Sequence, residues 1–329
     1  MPIIKLTSFN CENLMMRFNF RDTGISDLRN KLTSISEAAV ADSVDAAFDV
    51  LSEDDRTLTA QTLAAGAADI CVLQEVENLV VLTAFHNRYL RRWTRRGYAH
   101  RILKEGNDAR GIDVAALSRA TPQRVISHAE TTLSDLGISP RADQSPHDPV
   151  FRRDCLQLDY RFGETRLAVF VCHFKSMHGG RYETRHIRQQ EALGVRRIIE
   201  RSFERPETGN WIICGDFNDY LEQDGVPAND HALSSLIDDG FSVDALMASD
   251  TPAMDRWTHH YEPENSYAAL DHIFLSPALA ARNARPMVSI TRMGLSWRAQ
   301  RYEGMRLPGV GWSHPKASDH CPISLEFLL

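Results

Sequence analysis

Short apolar runs that abut polar clusters recur along this chain. IIKL leads into Ser8-Phe9-Asn10, DICV into Leu73-Gln74-Glu75-Val76, LAVFV into Cys172-His173-Phe174-Lys175-Ser176, and WIIC into Gly215-Asp216-Phe217-Asn218-Asp219. Leu270-Asp271-His272 stands before IFLS, and Ser318-Asp319-His320 before CPISLEF. Apolar runs bounded by turn residues predict strands at 3–9, 69–74, 112–118, 123–128, 154–160, 166–172, 210–214, 270–275, 286–291 and 322–328. Apolar residues recurring at three and four predict helices over 55–66, 77–96 and 182–204. Many strands with few long helices do not fit a repeated βαβ array. They fit two mixed sheets packed face to face with helices outside.

Each polar cluster carries an Asn, Glu, Asp or His. Strands bury their apolar middles and release their end residues at the sheet edge, so six strand ends can bring these groups to one cleft. Carboxylates, amides and imidazoles together suit a hard divalent cation and a phosphate ester. Asp216 and Asn218 lie two apart, which in an extended strand puts them on one side; Asp319 and His320 are adjacent and point to different sides.

The six clusters, in this order and in these strand contexts from Asn10 to Phe327, closely resemble the endonuclease/exonuclease/phosphatase superfamily. The resemblance implies an α/β fold of the deoxyribonuclease I-like kind, a four-layer sandwich of two mixed β-sheets with helices outside. It implies a magnesium or manganese cofactor and hydrolysis of a phosphodiester by activated water. By resemblance, Glu75 is the principal metal ligand, with Asn10 beside it and Asp319 approaching the same ion. Asp216 orients or deprotonates the water, and Asn218 holds a phosphate oxygen. His320 binds the scissile phosphate, with Asp271 fixing its tautomer and favouring imidazolium, and His173 donates to a phosphate oxygen or leaving group. Asp113, in Arg110-Gly111-Ile112-Asp113, and Arg153 are candidates to touch phosphate or position neighbours. Tyr267 is a candidate to stack a base or fill the sheet edge.

With 329 residues, 43% of them hydrophobic, the chain can bury a full core, and one domain over 1–329 is expected. Two stretches look like additions to it: a helical insertion near 17–54 (Ile35, Ala38, Ala39, Val44, Ala47, Phe48, Leu51) and a long active-site loop near 292–317. No basic-then-apolar leader pattern and no apolar run of about 18 residues is present, so a soluble cytoplasmic protein is expected. The six cysteines lack metal-type spacing and read as small buried hydrophobes. A net charge of −7 argues against a basic coat for nucleic acid. Locally the picture differs, because Arg88, Arg91, Arg92, Arg95 and Arg96 can share one helix face opposite Leu82, Phe85, Tyr89 and Trp93. The expected activity is that of a nuclease, with nucleic acid as substrate. A phosphatase or phosphodiesterase for a small phosphorylated metabolite or lipid headgroup is the alternative, although no apolar hairpin suits membrane insertion. A catalytically silent binding module has no use for so complete a set of Glu, Asp, Asn and His.

Overall fold

The computed structural model describes residues 2–15 and 53–329. The insertion expected near 17–54 lies outside the described residues, except for its last two positions, which open the helix Glu53–Ala65.

In chain order the described strands are β1 Ile3–Leu14, β2 Ile70–Val76, β3 His100–Leu103, β4 Asp113–Ser118, β5 Arg124–Ile126, β6 Cys155–Phe162, β7 Thr165–His173 and β8 Trp211–Asp216, then β9 Glu222–Gln223, β10 Val226–Pro227, β11 Val243–Asp244, β12 His259–Tyr261, β13 Ser266–Ala268, β14 Asp271–Leu275, β15 Met287–Ile290 and β16 Ile323–Leu328. Twelve of them build two six-stranded sheets, ordered β15-β16-β1-β2-β4-β3 and β11-β14-β8-β7-β6-β5. β9 with β10 and β12 with β13 form two small ribbons.

Side-chain alternation assembles the layers. Ile4, Leu6, Ile70, Val72, Val114 and Ala116 of the first sheet meet Leu156, Leu158, Val169, Val171, Ile212 and Ile273 of the second in one buried core. The opposite face of the first sheet, through Phe9, Cys71, Leu73, Ala115 and Leu117, packs on Leu58 and Leu63 of Glu53–Ala65 and on Val81, Leu82 and Phe85 of the helix Leu79–Arg88. The opposite face of the second, through Phe170, Trp211, Ile213 and Phe274, packs on Ala192, Val195, Ile198 and Ile199 of the helix Arg181–Ser202. Four layers result, as the resemblance implies. All six cysteines are buried and free.

The topology also fixes where chemistry can occur. Each sheet holds one parallel pair near its middle: β1 with β2, Asn10 opposite Gln74, and β7 with β8, His173 opposite Asp216. Parallel neighbours end at the same edge, so Asn10 and Glu75 emerge beside one another, as do His173 and Asp216. β14 and β16 run antiparallel to β8 and β1, so their starts lie at that same edge and bring Asp271, Asp319 and His320 to it.

The helix expected over 77–96 ends at Arg88, where a single 3₁₀ turn, Leu90–Arg92, takes over. Trp93, expected on its apolar face, is instead 47% exposed. The short edge strand β3 and the strands β9 to β13 have too few apolar residues to announce themselves.

Candidate active site

Backbone irregularities aim the cluster. Glu12, Asn13, Glu75 and Asn218 all have positive φ, between 48° and 62°. β1 slips register after Asn10 and β2 after Leu73, the bulged geometry that re-aims side chains at sheet rims. Gly215 sits so near β7 that a Cβ would run into the Cys172 carbonyl, so only glycine lets β8 close up immediately before Asp216.

Asp216 is the hub. Its Oδ2 accepts from Asn10 Nδ2 at 2.9 Å and from Asn218 Nδ2 at 3.1 Å, and its Oδ1 accepts from Asn218 N at 2.8 Å. Two imidazoles flank it, His173 Nε2 at 3.6 Å and His320 Nε2 at 3.9 Å. Pleat alternation does not put Asn218 beside Asp216, contrary to the sequence reading. Asn218 leaves the strand in a left-handed turn and folds back, closed by the bond from its own N–H.

The two imidazoles are held in opposite charge states. Complete burial, helped by Arg153, His320 and Arg110, keeps the His173 pKa well below the ordinary imidazole value. His173 Nδ1 is buried without a hydrogen-bond partner, so its one proton belongs on Nε2, facing the carboxylates. Burial opposes charge on His320 too, but Asp271 and Asp216 outweigh it and hold its pKa well above the ordinary value. Asp271 Oδ2 accepts from His320 Nδ1 at 2.8 Å and from the Thr258 hydroxyl at 2.7 Å. Asp216 itself is pushed up to about 6, chiefly by burial, with His320 opposing and Asp271 adding.

Glu75 Oε2 accepts from Asn13 N at 2.9 Å, and its Oε1 lies 4.0 Å from His173 Nε2. Asn10 turns its nitrogen toward Glu75 and Asp216 while its oxygen accepts from Glu12 N at 3.0 Å. That oxygen keeps a second lone pair for a cation, while the nitrogen stays on Asp216. Asp319 lies against His259, Nε2 to Oδ2 3.8 Å, and the His259 ring packs at a tilt against His320 with ring centres 4.5 Å apart. His259, Asp319 and His320 bring one ligand atom each within 4.8 Å, as do Asp216, Asp271 and His320. The residues present fit a hard divalent cation, because Glu75, Asp216, Asp319 and the Asn10 amide are all oxygen donors at one sheet edge.

A model of the Endonuclease/Exonuclease/phosphatase family matches residues 47–300. The chain belongs to this family. Solved structures agree on the endonuclease/exonuclease/phosphatase fold. Truncated Caenorhabditis elegans TDP2 is 14% identical over 99% of this chain and 98% of its own, with a TM-score of 0.57. The endonuclease/exonuclease/phosphatase protein of Beutenbergia cavernae is 13% identical over 99% and 72%, with a TM-score of 0.56. That of Leptotrichia buccalis is 13% identical over 99% and 100%, with a TM-score of 0.55. No curated protein sequence matches. Members of the endonuclease/exonuclease/phosphatase family hydrolyse phosphate esters.

Three expected substrate residues are engaged elsewhere. Asp113 is buried, accepts from Gly106 N at 2.8 Å and is pushed up to about 6 by burial, so it pins a turn. Buried Arg153 pairs with Asp108 at 2.9 Å and donates to Phe174 O at 2.9 Å, bracing the loop after His173. Tyr267 has its ring stacked by His260 at 4.7 Å and covered by Arg301 at 4.7 Å, so it fills the sheet edge and offers no platform for a base.

The arginine stripe moves as well. Tyr98, just beyond it, donates to Ala68 O ahead of β2, so Arg91, Arg92, Arg95 and Arg96 lie at the end of the sheet away from Glu75. Arg188 is wholly buried against Asp219, and Arg196 and Arg197 pair with Glu200. In the loop 292–317, Arg306 donates to the carbonyls of Leu295, Ser296, Ala299 and Tyr302, so it holds the loop together.

Sequence reasoning missed Thr258, His259 and Asp219. Thr258 and His259 sit in WTHHY, a stretch with no apolar periodicity, and reach the cluster only because β12 lies beside His320. Asp219, given no role from the sequence, is a buried anchor that takes Arg181 at 2.7 Å and Ala232 N at 2.9 Å.

His272 has a structural task beneath the cluster. Its Nδ1 meets Asp244 at 2.6 Å and its Nε2 meets Asp219 O at 3.0 Å. Burial opposes charge there, but Asp244 outweighs it and the His272 pKa is raised. The pair's stabilisation is therefore full below the unfolded imidazole value of about 6.5 and is lost as pH rises through the raised folded value. Asp244→Asn, which keeps a side-chain oxygen to cap Leu246 N, is expected to cost about 1.5–3 kcal/mol at pH 6 and progressively less at higher pH. Urea midpoints across that range check this, and a pH-independent difference would remove the ion pair from the account.

Proposed function

We propose that this chain is a divalent-metal-dependent phosphodiesterase that cleaves nucleic acid. The observation that carries the reading is Asp216 flanked within 3.9 Å by a neutral and a protonated imidazole. A carboxylate titrating at about 6 accepts a proton from water near neutral pH without being so weak a base that it does nothing. His320, cationic and steadied by Asp271 and Thr258, stabilises charge on a nonbridging phosphate oxygen. His173 Nε2–H donates to the leaving oxygen or to a second nonbridging oxygen. The amides of Asn10 and Asn218 keep Asp216 oriented. A cation held by Glu75 with Asp319 and Asn10, magnesium or manganese on the chemistry of the donors, supplies further charge neutralisation when bound.

Nucleic acid is favoured over a lone small ester by the cations next to His173, where Arg110, Arg153 and Lys175 outnumber Asp108. The net charge of −7 favours the second reading, a phosphoesterase for a small phosphorylated metabolite. The two part on a panel of single-stranded DNA, duplex DNA, RNA, bis(p-nitrophenyl) phosphate and p-nitrophenyl phosphate in magnesium and in manganese. Polymer cleavage that falls steeply with salt, beside a small diester whose cleavage barely changes, is the expected result. Turnover of the monoester alone moves the assignment to a phosphatase.

A further inference from the structure

Beside the catalytic cluster lies a cleft of about 470 Å³ between the loops at 107–110, 152–153 and 175–178, closed on one side by Ile187. Its titratable lining is Asp108, Arg110, Arg152, Arg153, Lys175 and His178. Four basic side chains, three arginines and Lys175, face one carboxylate, and that carboxylate is shared, Asp108 lying 2.9 Å from both Arg110 and Arg153. The Lys175 ammonium donates only to neutral oxygens, Ser176 O, Ser176 Oγ and His178 O. Arg152 is exposed and makes no ion pair among the described residues. A further carboxylate, Glu191, lies buried beneath and accepts from the backbone N–H groups of Arg152 and Lys175. Burial, together with Arg153, Arg188 and Arg110, lowers the Lys175 pKa, as expected where cations are crowded.

The cleft and the cluster share a wall. Phe174 O accepts from Arg153 Nη1 at 2.9 Å on one side and from Asn218 Nδ2 at 3.1 Å on the other. Lys175 stands two residues beyond His173. Arg152 and Lys175 have no carboxylate partner among the described residues, while Arg110 shares Asp108 with Arg153; guanidinium and ammonium groups so placed beside a reaction centre are the usual means of holding phosphate.

We propose that this cleft is a second phosphate subsite, in which Arg110, Arg152 and Lys175 hold a phosphate of the substrate other than the one hydrolysed. The proposal rests on the phosphodiesterase reading and narrows it, because the substrate then carries at least two phosphates. Two sources share that chemistry, the neighbouring backbone phosphate of a nucleic acid strand and a second phosphate on a small molecule.

Pyrophosphate titrated into the metal-free protein in chelator tests the subsite without turnover. Arg152→Ala combined with Lys175→Met is expected to weaken binding about tenfold or more. Undiminished pyrophosphate binding by the folded double variant overturns the proposal. Arg152→Ala alters an exposed side chain and serves alone, with a smaller loss, if the pair does not fold. In kinetics with added metal, the same variants are expected to raise KM for an oligonucleotide or for a nucleoside 3′,5′-bisphosphate esterified with p-nitrophenol at one phosphate, which supplies a cleavable diester, about tenfold. The kcat and KM for bis(p-nitrophenyl) phosphate, which has one phosphate, should stay near wild type. A KM effect on the oligonucleotide supports a backbone phosphate as occupant, and one confined to the bisphosphate supports a small molecule. Equal effects on one-phosphate and two-phosphate substrates overturn the subsite and leave the phosphodiesterase reading in place. If the wild type turns over no ester but its pyrophosphate binding depends on Arg152 and Lys175, the enzymatic reading falls and the anion site stands.

Discussion

Asp216→Asn is expected to lower kcat by about two to four orders of magnitude while the protein stays folded. The substitution changes no volume and leaves one oxygen to accept from Asn218 N or from the Asn10 amide. What it removes is the proton acceptor between the imidazoles. It also removes one of the three carboxylates that favour imidazolium at His320, so a second fault compounds the first. His320→Ala should cost a similar factor through lost stabilisation of phosphate charge, with the loss in kcat rather than KM if the contact strengthens as charge develops. Asp271→Asn should be milder, because Thr258 still holds the side chain and only the orientation and charge of His320 suffer. Steady-state rates, paired with circular dichroism and a thermal melt to show that each variant folds, measure this. Near-normal turnover in folded Asp216→Asn removes that residue from the chemistry.

Chelation is expected to abolish turnover, and magnesium or manganese to restore it. Glu75, Asp216, Asp271 and Asp319 share this edge with the His320 cation and with Lys316 near Asp319, and a divalent cation would offset the remaining negative charge. Glu75→Gln keeps the shape and the place to accept from Asn13 N while removing the charge, so it should weaken cation binding about ten- to a hundredfold. Calorimetric titration of magnesium or manganese into wild type and variant reads this directly, without any ester present. Full turnover in chelator by protein shown to hold no metal would refute the metal requirement. Equal cation affinity in Glu75→Gln would place the ion elsewhere, with His259 and Asp319 the next group to test.

Much of the fold was legible because the strands of both sheets are buried on two faces and write themselves as apolar runs. The same runs located Asn10, Glu75, His173, Asp216, Asp271 and His320, since a polar residue at the end of such a run has little choice but to emerge at the edge. What escaped depended on neighbours far apart in sequence. Nothing in WTHHY says that Thr258 will bond Asp271 or that His259 will pair with Asp319; that follows from an edge ribbon laid beside residues some sixty positions later. The arginines misled for a related reason. A helical stripe fixes which residues share a face but not which end of the sheet that face reaches, and Tyr98 anchors this one at the far end. For Tyr267 the sequence left two roles open, stacking a base or filling the sheet edge, and only the covering of its ring by His260 and Arg301 favours the second.

The cluster is contributed in halves, Asn10, Glu75, Asp319 and His320 from the edge of the first sheet and His173, Asp216 and Asp271 from that of the second, and the bonds from Asn10 to Asp216 and from His320 to Asp271 stitch them together. Neither sheet alone holds a working centre. Catalytic competence is therefore a property of how the two sheets are seated on each other, and the apolar core between them is part of the instrument's alignment as well as its support. A cavity cut deep in that core, far from any phosphate, reaches the reaction by letting one half drift against the other.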